Sequence, residues 1–99
     1  MMSFRAALLN GTAPTFPVKQ FGVSGRKTVA VTATHCGMLI ERKSRYLRKD
    51  AQAFMGLKTA IEDHSKQPLS ALILLRGAPL CSKAKALLND KGITIEIVD

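Results

Sequence analysis

Acidic residues are scarce in this 99-residue chain, and residues 1 to 40 contain no Asp or Glu at all. That absence removes any paired-carboxylate site from the first two-fifths of the chain. Cysteine is limited to Cys36 and Cys81, whose spacing matches neither a zinc knuckle nor a disulfide framework. Two free thiols in a reducing, cytoplasmic setting are therefore expected. No apolar run approaches the ~20 residues a membrane-spanning helix needs, so no membrane partner is expected. The N-terminal "MMSFRAALLNGTAP" has too short an apolar cluster for a signal-peptide core and reads as a first helix. Neither a Walker loop, nor a dinucleotide fingerprint, nor a Ser-His-Asp spacing occurs. His35 and Cys36 form only one adjacent pair of metal-ligating types, and zinc needs three or four ligands.

What is abundant is positive charge. Fifteen Lys and Arg against seven Asp and Glu give a net charge of +8. Such a field favours a polyanion, because neutralised phosphates release their counter-ions. The charge is also clustered: Arg42, Lys43, Arg45, Arg48 and Lys49 place five cations within eight positions. DNA or RNA is the partner this pattern suggests, and an acidic protein surface is the alternative. In the second case the chain would act as a phage- or plasmid-type accessory interaction protein.

The residue patterns give an element order. A Ser3 to Asn10 helix stops at Gly11, and "TFPVKQF" reads as an edge strand because Pro17 cannot donate to a ladder. "KTVAVTAT" alternates as a strand, His35-Cys36-Gly37 reads as a turn, and "GMLIERK" reads as a third strand, making residues 15 to 43 an antiparallel meander. Leu47, Ala51, Phe54, Leu57 and Ile61 then form one apolar stripe, which predicts a helix from about Arg45 to His64. "SALILLR" has the continuous apolar character of a strand buried on both faces. A short helix over "LCSKAKALLNDKG" and the strand "ITIEIV" complete the chain. The expected fold is a single α/β domain over residues 1 to 99, with a mixed sheet and the order α-β-β-β-α-β-α-β. Its last two strands are parallel through a helical crossover.

In a strand, Glu41 and Lys43 would project to the same face. A carboxylate there can bind a divalent cation, and a neighbouring ammonium can orient water and neutralise a phosphate. "IERK" at the end of the third strand, Gln52 on the next helix and the late strand-helix-strand together resemble the restriction-endonuclease-like, or PD-(D/E)XK, nuclease fold. The resemblance implies Glu41, Lys43 and Gln52 as catalytic residues and Mg²⁺ as cofactor. That site needs a second carboxylate, and none precedes Glu41. Asp50 would have to join Glu41 at the metal, or a second protomer of a homo-oligomer would have to supply the ligand. The leading expectation is thus nucleic-acid binding without catalysis, with a Mg²⁺-dependent nuclease as the alternative.

A helix beginning near Arg45 would carry Arg45, Tyr46, Arg48 and Lys49 in its first turn, where positive charge is unfavourable by up to ~1 kcal/mol. Helix-start N–H groups beside these cations would seat a phosphate, and Tyr46 would stack on a base or sugar. Arg42 and Lys43 would join Arg45, Arg48 and Lys49 in positioning the backbone, and Lys83 and Lys85 would extend the track. "RGAPLCSKAK" also resembles the Cys-x-x-Cys segment of thioredoxin-like proteins, but Ala78 stands where the attacking cysteine would be.

Overall fold

The computed structural model describes residues 3–98. Helix α1, Phe4–Asn10, is capped by the Ser3 side chain, which accepts from the Ala6 N–H, and ends at Gly11. Strand β1 spans Thr15–Pro17, β2 Thr28–Val31 and β3 His35–Glu41. Helix α2 covers Arg48–Ser65, β4 Ser70–Arg76, α3 Ser82–Asp90 and β5 Thr94–Val98. A single sheet is ordered β1-β2-β3-β4-β5. The first two pairings are antiparallel, and β3-β4 and β4-β5 are parallel.

This order dictates the layers. Two successive crossovers, β3-α2-β4 and β4-α3-β5, step across the sheet in the same direction, so the right-handed rule puts both helices on one face. The core divides accordingly. Cys36, Ile73, Leu75 and Ile95 pack with Phe54, Leu57, Ile61 and Leu88 of α2 and α3. Ala30 and Leu74 pack with Leu8 of α1, joined by Phe4, Leu39 and Leu72. Strand β4 lies between the layers, and Ile73, Leu74 and Leu75 are each 0% exposed. Each such side chain contributes about 1.5–3 kcal/mol of burial, which is why this run lacks strict alternation.

Four boundaries differ from the sequence reading. The edge strand stops at Pro17, and Val18–Phe21 form a 3₁₀ helix ending at Gly22. The turn between β2 and β3 lies at residues 32–34, and His35-Cys36-Gly37 begin β3. Gly37 misled because it serves close packing: a Cβ there would lie 2.3 Å from the Leu72 carbonyl oxygen and 2.9 Å from the Phe4 ring. Strand β3 ends at Glu41, leaving Lys43 in a bend, so Glu41 and Lys43 do not share a strand face. Helix α2 begins at Arg48, because residues 45–47 are extended and bound to the chain after β4.

Candidate functional site

Strands β3 and β4 finish side by side, with Glu41 opposite Arg76. The Arg42 N–H donates to the Arg76 carbonyl at 3.3 Å, and the Glu41 carboxylate lies 3.3 Å from the Arg76 guanidinium. Gly77 then takes a left-handed φ of 82° with its Cα face 3.3 Å from the Arg42 carbonyl, measured to a Cβ built there. A side chain would be strained at this turn. Beyond it the two chains meet again. Tyr46 bridges Leu80 in parallel, with the Tyr46 N–H donating to Pro79 at 2.9 Å and the Cys81 N–H to Tyr46 at 3.0 Å. Two residues after the bridge α2 and α3 both begin, so both helix starts sit at the C-terminal end of the parallel strands. In open α/β sheets this is the end at which ligands bind.

A fixed substructure supports the edge. The Arg42 guanidinium lies 5.5 Å over the Tyr46 ring and donates to Asp50 Oδ2 at 2.7 Å and to the Arg45 carbonyl at 3.2 Å. Asp50 Oδ2 also accepts the Leu47 N–H at 2.8 Å. This carboxylate at the third helical position neutralises part of the positive charge at the helix start. Arg42 is thereby tied to Tyr46, Asp50 and the Arg45 carbonyl, with 25% of its side chain still exposed. Tyr46 is 2% exposed, which removes it as a stacking platform for a base. Burial, aided by the Asp50 charge and opposed by Arg42, pushes its phenol pKa well up.

The remaining expected cations are outside. Lys43, Arg45, Arg48, Lys49, Lys83 and Lys85 are all exposed. Arg48 and Lys83 line one shallow groove between α2 and α3, with Ala86, Leu87 and Asp90. The Arg45 and Lys83 charges both reach Cys81, which places the two basic segments around one helix start. The sequence reading grouped Lys83 with residues 45–49 on charge alone; the contact between the two segments is the Tyr46-Leu80 bridge. Arg26 and Lys27 are further exposed cations overlooked in the sequence, although the Ser24-Gly25 turn before them marks them as surface residues. Lys27 is near enough to Asp50 to help lower its pKa.

The residues expected to bind metal or catalyse lie on three segments: Glu41 ends β3, Lys43 is in the bend after it, and Asp50 and Gln52 are on α2. Glu41 is held by Arg76, and Asp50 by Arg42 and the Leu47 N–H. Lys43 has left the strand, and Gln52 is exposed on α2. Among the described residues no group of three or more His, Cys, Asp or Glu is placed to hold a metal ion. Each of the two expected metal-binding carboxylates is paired with its own arginine, Glu41 with Arg76 and Asp50 with Arg42.

Cys36 is fully buried, and desolvation raises its thiol to about 11. Cys81 stands at the N-cap position of α3, and the Ala84 and Lys83 amides, then the Arg45 and Lys83 charges, lower its pKa. No protein-family model, curated protein or solved structure matches the chain.

Proposed function

We propose that the protein binds nucleic acid, DNA or RNA, by its phosphates, along the edge where α2 and α3 begin. In this reading the chain is a restriction-endonuclease-like scaffold that holds nucleic acid without cutting it. The observation that carries the proposal is the Tyr46-Leu80 bridge, which brings two separate basic segments together. Arg45, Arg48 and Lys49 come from one segment and Lys83 from the other, all exposed. Leu47, at the N-cap of α2, has no side-chain oxygen with which to cap it, so the helix start presents backbone N–H groups beside these cations. Phosphate oxygens satisfy both kinds of donor at once.

Phosphate contact has a salt signature. Each cation that neutralises a phosphate adds about 0.9 to the slope of log affinity against log salt. Arg48→Gln with Lys83→Gln is expected to weaken binding uniformly across sequences and to reduce that slope by about 2. Affinity and slope unchanged in the double variant, measured by fluorescence anisotropy across a salt series, would sink the assignment.

A further inference from the structure

Between residues 23–27 and α2 lies a cavity of about 240 Å³. Met38 and Ile40 of β3 line it together with Val23, Phe54 and Leu57, and Tyr46 and Asp50 also belong to the lining. Met38, Ile40 and Val23 are only partly buried, so an apolar strip of the central sheet stays open. The cause is local: Gly22, Ser24 and Gly25 are too small to cover it. Arg26 and Lys27 are exposed on its lining.

The lining is chemically asymmetric, with apolar walls, a carboxylate and two cations. Both protein hydrogen bonds to Asp50 fall on Oδ2, which leaves Oδ1 to accept from a ligand. The complementary molecule has flat apolar faces, an edge with N–H donors and an anionic group. A nucleotide has all three, since each base offers a π face for apolar contact, hydrogen-bonding edges and an attached phosphate. The volume, below the roughly 300–1,000 Å³ of drug-sized sites, suits one such unit. Position agrees as well. At 3.6 residues per turn, Asp50, Ala53, Phe54 and Leu57 lie on the face of α2 opposite Arg48, so a strand crossing the start of α2 reaches both the cavity and the basic groove.

We propose that this cavity holds one unstacked base, with its phosphate on Arg26 and Lys27, making the protein a binder of single-stranded nucleic acid or of free nucleotides. The inference rests on the phosphate-binding reading and adds the base as a second determinant. Methyl NMR of the whole protein tests it, with short single-stranded oligonucleotides of each base, a blunt duplex and nucleoside 5′-monophosphates as probes. Oligonucleotides are expected to shift the Met38 and Ile40 methyls while leaving Ile93 in place. Monophosphates that shift the same methyls extend the ligand to free nucleotides, and monophosphates without effect confine it to the strand. Ala53→Phe, at an exposed helical position lining the cavity, is expected to weaken single-strand binding about tenfold and leave duplex binding and the salt slope unchanged. Single-strand binding with Met38 and Ile40 unmoved, a duplex that moves them equally, or unaltered affinity in Ala53→Phe overturns the base-binding cavity. None of these outcomes touches the phosphate-binding edge, which stands or falls on the Arg48 and Lys83 variant.

Discussion

Asp50 shows how one side chain sets the start of a helix. Its partial burial disfavours the charged form, but the Leu47 N–H, the Arg42 guanidinium and the Lys27 charge together hold its pKa below the usual carboxylate value. Because the folded value is the lower one, the charged carboxylate stabilises the fold fully above its unfolded value of about 4. That stability is lost as pH falls through the folded value. Asp50→Asn is expected to cost about 1–2 kcal/mol at neutral pH, with the difference shrinking along the acid limb of urea denaturation measured against pH. An equal cost at both ends of the series would remove the assignment. The two thiols give a second contrast. Thiolate is the reactive species, so iodoacetamide is expected to label Cys81 and spare Cys36 in the folded protein, as read by peptide mass spectrometry. Labelling of both at similar rates would contradict the burial of Cys36. The sequence showed where the charges cluster, but Arg42 and Tyr46 looked like surface residues because they sit among cations. Their contact with each other and with Asp50 arises only when the chain folds back over the end of β3.

At the scale of elements, the contact between α1 and β3 depends on a missing side chain. Gly37 lets the Phe4 ring and the Leu72 carbonyl approach the strand, and a Cβ at 2.3 Å from that oxygen has backbone on its far side. Gly37→Ala is expected to destabilise the protein by about 1–3 kcal/mol or more, seen as a lower urea midpoint with little change in slope. A neutral result would contradict the close approach of the Leu72 carbonyl and the Phe4 ring to Gly37. The other end of α2 is fixed by polar contacts: Glu62 accepts the Leu69 N–H at 2.8 Å and pairs with Lys58 at 3.1 Å, tying the helix end to the entry of β4. Regular periodicity made α2, β4, α3 and β5 legible in the sequence. The 32–34 turn and the start of α2 were not, because both depend on partners distant in the chain. Residues 45–47 stay out of the helix because the Tyr46 N–H and carbonyl are taken by Pro79 and Cys81, and the Leu47 N–H by the Asp50 carboxylate.

For the whole molecule, charge and architecture work against each other. A net charge of +8, with much of it gathered at one edge, makes the folded state repel itself. Raising salt from about 10 mM to about 150 mM shortens the screening length from about 30 Å to about 8 Å. The melting temperature is therefore expected to rise over that range in scanning calorimetry. A melting temperature that drops instead would show that ion pairs outweigh the repulsion. The order of elements, the mixed sheet and the basic character follow from the sequence alone, because hydrophobic period, turn residues and net charge are local or additive properties. Which cations face outward together, which arginines Glu41 and Asp50 meet, and the open strip of sheet beside α2 were decided by tertiary structure. They depend on parallel strands ending in register and on a bridge between Tyr46 and Leu80, and long-range pairing of that kind leaves no mark on the spacing of residues along the chain.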